Sequence, residues 1–126
     1  MIGNEPNYDV AHLGHVELLT PKPEESLRFF KEVLGMTESG RKGESVYLRG
    51  WDDYERHTLK LTSSKTSGLG HMAFRTRSPQ ALERRVAALQ GSGYEIGWTE
   101  GDLGHGPAYL CQDPDGHRIE LYYETE

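Results

Sequence analysis

Residues 11–20, "AHLGHVELLT", carry the alternation of a half-buried strand. The period then changes. Across residues 23–34, Leu27, Phe29, Phe30, Val33 and Leu34 recur at helical spacing, with Pro21 and Pro23 at the entry and Gly35 at the exit. A weaker strand signal covers 37–42. "SVYLRGW" and "HTLKLTS" then read as strands joined by the polar loop "DDYER". The second half repeats this order. It predicts a strand at 70–77 and a helix at 78–90, with Ser78 as N-cap and Pro79 in the first turn. Strands follow at 93–98, 107–112 and 117–124, and the turn "DPDG" marks a hairpin between the last two.

Each half therefore reads as strand, helix, strand, strand, strand, and the halves rhyme in sequence as well. "LGHVELLTPKPEESLRFFKEVLGM" begins at Leu13 and "LGHMAFRTRSPQALERRVAALQGSGY" at Leu69. His15 and His71 hold the same place in the repeat, 56 residues apart. Near the ends of the halves, "RHTLKLTSS" carries His57 and "GHRIELYYE" carries His117, 60 residues later. In that register Lys60 is the partner of Glu120. No linker or low-complexity segment separates the halves. The expected organisation is one α+β domain over 1–126, built of paired βαβββ modules at about 11–64 and 68–124.

Charge and composition narrow the function classes. The 126 residues carry a formal net charge of −6 with no Lys/Arg run, which disfavours nucleic-acid and membrane-surface partners. Hydrophobic residues make up 35% and charged residues 27%, as in an ordinary globular chain. Cys111 is the single cysteine, so no internal disulfide can form. The start "MIGNEPNYDV" lacks a basic region followed by an apolar one, and no apolar run approaches spanning length. These features predict a cytoplasmic protein.

One polar residue stands out in the last strand. In "HRIELYY", His117, Ile119, Leu121 and Tyr123 share one face, and Arg118, Glu120 and Tyr122 share the other. If the sheet curls, the repeat brings His15, His71, Glu120 and Lys60 towards one concave surface. Two imidazoles and a carboxylate on rigid strands form a facial triad for a divalent metal, with positions left open for substrate. Each residue alone has a plainer reading, as a satisfied core histidine or a solvated strand carboxylate. Their equivalence in the repeat is what favours the metal.

The stretches "LGHVELLTPKPEESLRFFKEVLGM", "GLGHMAFRTRSPQAL" and "DPDGHRIELYYE" resemble the vicinal oxygen chelate superfamily, from about Val10 to Glu124. Within it the chain is most similar to type I extradiol dioxygenases of the catechol 2,3-dioxygenase kind. The stretch "VYLRGWDDYERHTLKLT" looks most like the N-terminal domain of two-domain enzymes, a domain in which many relatives have lost the ligands that this chain retains. The resemblance implies a cup-shaped mixed sheet with flanking helices, and Fe(II) held by His15, His71 and Glu120, with Mn(II) using the same ligand types. It also implies catalytic roles for His57 as acid/base, His105 in a His-Gly loop, and Tyr122. The implied partners are a small aromatic diol and O2, with cleavage beside the diol to a muconic semialdehyde. Self-association at an unpaired sheet edge, or a second domain covering one face, is expected. Where the family often has a substrate-facing tyrosine, this chain has Leu110.

Rival readings stay open at this point. Glyoxalase- and epimerase-type members usually place a fourth ligand in the slot that holds Lys60 here. A fosfomycin-type thiol transferase uses two His and one Glu but needs a phosphonate-binding cluster, where "TEGDLGHGPAYL" offers His105 instead. Drug-sequestering members of the bleomycin-resistance type lack the triad, and a non-catalytic N-terminal domain would carry it idly. Plain roles are expected elsewhere: Lys60 with its head in solvent, Cys111 semi-buried, His12 at the surface and His117 structural. Trp51 and Tyr54 are expected to pack across the cup's rim, Trp98 and Tyr94 to serve as core or dimer contacts, and Glu83, Arg84 and Arg85 to form a solvated helix face.

Overall fold

The computed structural model describes residues 7–51 and 55–125. The elements run β1 (Val10–Thr20), α1 (Pro23–Arg28), β2 (Thr37–Lys42), β3 (Ser45–Arg49), β4 (Leu59–Ser63), β5 (Gly68–Thr76), α2 (Pro79–Leu89), β6 (Glu95–Thr99), β7 (Ala108–Gln112) and β8 (Arg118–Tyr122). The eight strands of the described residues join one unclosed mixed sheet in the order β2-β3-β4-β1-β5-β8-β7-β6. The order is palindromic about the β1–β5 seam: each half contributes four adjacent strands, its first strand at the centre and parallel to its last.

The first helix departs from expectation. It is α-helical only to Arg28 and then widens into a π-helical segment, Phe29–Val33, with the Leu34 N–H bonded to the Phe29 carbonyl at 3.1 Å. The wider turn breaks the predicted apolar stripe. Leu27 is buried with Leu48, Leu59 and Leu61, and Phe30 packs against them, whereas Phe29, Val33 and Leu34 are left exposed. The second helix follows the sequence more closely: the Ser78 hydroxyl accepts the Ala81 N–H at 3.0 Å, and Ala81 and Val86 are buried. Arg84 and Arg85 do not simply face solvent. Both reach the buried Asp9 carboxylate, at 2.7 and 2.9 Å, and so fasten the approach to β1 onto α2.

Strand alternation sets the two faces. On β4, Leu59 and Leu61 enter the core under α1, which turns Lys60 to the opposite face. Each fully buried leucine contributes about 1.5–3 kcal/mol, so this register is strongly held. Cross-strand pairs then carry the opposite face along the sheet: Tyr47 beside Lys60, Lys60 beside Glu17, Glu17 beside His71, His15 beside Ala73, Ala73 beside Glu120, and Glu120 beside Leu110. Cys111 lies opposite Ile119, off this face, as the alternation predicts.

The repeated Leu-Gly-His has a structural cause. The β1–β5 pairing skips Gly14 on one strand and Gly70 on the other, each immediately before its histidine. A Cβ at Gly14 would fall on the Tyr122 hydroxyl, and one at Gly70 on the Glu17 carboxylate. The glycines make room for two polar side chains beside the two histidines. Gly14→Ala should therefore destabilise the chain by about 1–3 kcal/mol, as overpacked cores do, with Tyr122 displaced. Urea melts together with the near-ultraviolet tyrosine signal check this.

Candidate active site

Two strand histidines meet across the seam. His15 and His71 bring their Nε2 atoms to 2.8 Å, and the His71 Nε2 lies 3.4 Å from Glu120 Oε2. The predicted triad therefore comes together. A third imidazole joins it from the loop between β6 and β7: the His105 Nε2 is 4.0 Å from Glu120 Oε1, and His15, His105 and Glu120 offer ligand atoms all within 4.8 Å of one another. His105, expected among the catalytic groups, thus also stands within a ligand's reach. His57 completes the cluster just before β4, its ring 4.3 Å from that of His15 and 6.1 Å from that of His105. The Tyr122 ring lies 4.6 Å from the His105 ring.

Hydrogen bonds fix which ring nitrogens carry protons. An ionised carboxylate can only accept, so the His71 Nδ1–H donates to Glu17 Oε1 at 3.1 Å and leaves the neutral ring's lone pair on Nε2. The Thr62 hydroxyl donates to Glu17 Oε2 at 2.7 Å. Burial works against the Glu17 charge, yet the His71 and Thr62 bonds outweigh it and hold the pKa below the usual range. In the same way the His105 Nδ1–H donates to the Gly106 carbonyl at 2.8 Å, which turns its own lone pair towards Glu120. The buried Nε2 atoms of His57 and His105 have no hydrogen-bond partner among the described residues. Buried polar atoms are rarely left unpaired without a ligand, water or ion to meet them. The His15 and His71 Nε2 atoms share one hydrogen bond at 2.8 Å when His15 carries its proton on Nε2; with that proton on Nδ1 instead, the same spacing suits neighbouring positions around an ion with nitrogen ligands at ~2.1 Å, so this donor set fits a divalent metal.

Burial keeps the inner imidazoles neutral. It pushes the His15 pKa from 6.5 to about 2, helped by the facing His57, His71 and His105 rings. It pushes that of His57 to about 4, with His105 adding to the effect. The Tyr122 phenol is shifted upward by burial and by the nearby Glu55 carboxylate, which is not in hydrogen-bonding geometry. Tyr122 therefore stays a protonated donor at neutral pH.

Several expectations need correction. The Lys60 head does not reach solvent: its side chain is 16% exposed and its Nζ sits 2.5 Å from Asp102 Oδ2 and 3.9 Å from Glu17 Oε2. A lysine on the same face as two carboxylates finds them before it finds water. Trp51 is 93% exposed and is not packed among the described residues, and Tyr54 lies outside them. Trp98 and Tyr94 are about half exposed, with the Trp98 ring 5.2 Å from Tyr109 on the edge hairpin. His12 lies at the surface as expected, and there bonds the buried Glu55 at 3.0 Å. His117 is exposed and pairs with Asp113 at 2.9 Å within the turn that precedes β8.

The sequence reading missed Glu17, Tyr47 and Asp102. Alternation from His15 alone would have put Glu17 on the site face. The repeat would have found Tyr47 as the counterpart of Leu110, because each lies beside the paired Lys60 or Glu120. Asp102 sits in an aperiodic loop and had no signal.

Comparisons with known proteins give the family and the fold. The model of the Glyoxalase/Bleomycin resistance protein/Dioxygenase superfamily matches residues 12–121. The chain belongs to that superfamily. It is 55% identical over 122 residues to the Metapyrocatechase of Geobacillus stearothermophilus, covering 97% of this chain and 37% of that protein. It is 37% identical over 120 residues to the Manganese-dependent 2,3-dihydroxybiphenyl 1,2-dioxygenase of Geobacillus genomosp. 3, covering 94% and 38%. The solved structure of an extradiol ring-cleaving dioxygenase from B. fuscum superposes with a TM-score of 0.86 at 28% identity, over 98% of this chain and 35% of that one. The chain thus spans roughly a third of the length of these relatives. None of its described helices is long and apolar enough to cross a membrane.

The cluster lies at the β1–β5 seam, where the two modules share their central strands, and two measurements probe how it is held. Glu17→Gln should weaken divalent-metal affinity about 10–100-fold, the usual cost of losing a partner that orients a ligating histidine; titration calorimetry with Mn(II) reads this. The second concerns acid. His57 and His15 bind protons more weakly folded than unfolded, so stability present above pH 6.5 is lost as pH falls, towards about 4 for His57 and about 2 for His15. Urea melts of the metal-free chain should lose up to about 1.4 kcal/mol per pH unit per histidine below pH ~6, with a shallower slope in His57→Asn.

Proposed function

We propose that this chain carries an extradiol ring-cleaving dioxygenase site that opens catechol-type diols with Fe(II) and O2, giving a muconic semialdehyde. The observation that carries the reading is the approach of the His15 and His71 Nε2 atoms to 2.8 Å beside the Glu120 carboxylate. The 55% identity to a protein named Metapyrocatechase supports it. His15, His71 and Glu120 would hold the metal, with His105 a fourth group within reach. Mn(II) uses the same ligand types, and one relative is named as manganese-dependent. When bound, the metal supplies a Lewis acid that acidifies one of two neighbouring hydroxyls and brings diol and dioxygen together.

The chain's own residues supply the rest. His57, neutral with a pKa near 4 and an unpartnered Nε2, accepts a proton in a nearly dry environment. The His105 Nε2 is a second acceptor, fixed in direction by its Nδ1–H bond to Gly106. The Tyr122 hydroxyl is the complementary donor. Leu110, beside Glu120 on β7, offers an apolar wall where the family often hydrogen-bonds the substrate. The thiol-transferase alternative needs cations for a phosphonate, and the lysine on this face is already taken by Asp102 and Glu17.

Anaerobic loading with Fe(II), followed by catechol and air, should give a yellow ring-opened product. His57→Phe should lower kcat about 100- to 10,000-fold with metal content unchanged. A stoichiometrically loaded chain that turns over no catechol would overturn the proposal and leave a non-catalytic module of a longer enzyme. Thiol addition to an epoxide phosphonate by that chain would instead establish the transferase.

A further inference from the structure

The loop that carries His105 is anchored to the opposite half of the sheet. It first closes on itself: the His105 N–H donates to the Asp102 carbonyl at 3.2 Å, and the Asp102 N–H to the His105 carbonyl at 3.3 Å. The Gly106 N–H then donates to the Glu124 carbonyl at 2.8 Å. From this turn two side chains cross the sheet. Leu103 lies over Gly40 of β2, where a Cβ would collide with it. Asp102 accepts three bonds, from the Tyr47 hydroxyl at 2.6 Å, the Leu103 N–H at 2.8 Å and the Lys60 ammonium at 2.5 Å. Burial opposes the charge on Asp102, but the Lys60 and Tyr47 bonds outweigh it and keep the carboxyl ionised.

Lys60 also lies 3.9 Å from Glu17 Oε2, and Glu17 Oε1 holds the Nδ1 of His71. A continuous run of charged contacts therefore leads from the His105 loop through Asp102, Lys60 and Glu17 to His71. The side chains of Lys60, Glu17 and Asp102 are only 14–16% exposed, so solvent screens these charge-assisted bonds weakly. We propose that Lys60 is a positioning residue: from the slot that the repeat pairs with Glu120, its ammonium ties the carboxylate of the His105 loop to the carboxylate that orients His71, and so sets the two imidazoles relative to each other. The purpose of that placement rests on the dioxygenase reading. The clamp itself belongs to the metal-free chain and can be tested there.

Amide hydrogen exchange followed by NMR on the metal-free chain provides the test. In Lys60→Met the His105 and Leu103 amides should exchange about 10–100-fold faster, while core amides of β1 and β5 keep their protection. Lys60→Arg should recover most of the protection. Asp102→Asn keeps an acceptor for Tyr47 and Leu103 and removes the ion pair, so it should loosen His105 alone, and combining it with Lys60→Met should add little. If Lys60→Met does not fold, Asp102→Asn carries the test. Exchange at His105 within about twofold of the parent in these variants would overturn the clamp. In a parent that turns over catechol, the same variants should lower kcat more than they raise KM. A parent without turnover would sink the dioxygenase reading and leave the exchange result to judge the clamp.

Discussion

The antiparallel seam between β1 and β5 is the constraint on which the rest of the molecule turns. Because the two strands are equivalent members of a repeat, a residue placed on the shared face of one has its counterpart on the same face of the other. His15 and His71 are that pair, and the seam leaves their Nε2 atoms 2.8 Å apart. Such closeness requires room beside each ring. The skipped glycines provide it, Gly14 for the Tyr122 hydroxyl and Gly70 for the Glu17 carboxylate. The Leu-Gly-His repeat is therefore one device used twice: a missing side chain lets a polar neighbour approach, and the next residue is a histidine that faces the site.

Crowding four imidazoles into one region is tolerable only if they remain neutral. Burial drives His15 and His57 in that direction, and the charges nearby are arranged to match. Glu17 and Asp102 are ionised but fully occupied by hydrogen bonds and by Lys60, so they steady the rings without competing for whatever the rings bind. Glu120 is the carboxylate that faces the imidazole cluster from β8. Removing one partner of a buried charge network costs more than the pair itself contributes, because the remaining charge is stranded. The architecture therefore resists piecemeal change.

The repeat is broken around the imidazole cluster. Lys60 stands opposite Glu120, Glu17 opposite Ala73, and Tyr47 opposite Leu110 in the register of the two halves. The first half thus supplies the charged scaffold. The second supplies the carboxylate beside the imidazoles and the apolar wall. A symmetric sheet would place the same group at positions 60 and 120; Lys60 leaves a carboxylate at one of those two positions only.

Much of this was legible in the amino-acid sequence. Local periodicity found every strand and both helices, since period 2 and period 3.6 are properties of neighbouring residues. Internal repetition found the equivalence of His15 with His71 and of Lys60 with Glu120, and alternation placed Glu120 and Tyr122 together. What it could not decide depends on contacts between distant segments. The widening of the first helix after Arg28 reflects how Leu27 and Phe30 fit the core under β3 and β4. Lys60 is ion-paired because the loop at Asp102 folds back over the other half of the sheet, an approach with no periodic signature. The carboxylate of Glu17 finds His71 only once the strands pair with Gly70 skipped. Sequence determined which residues share a face; tertiary structure decided which of them touch, because touching depends on register and loop closure over long separations.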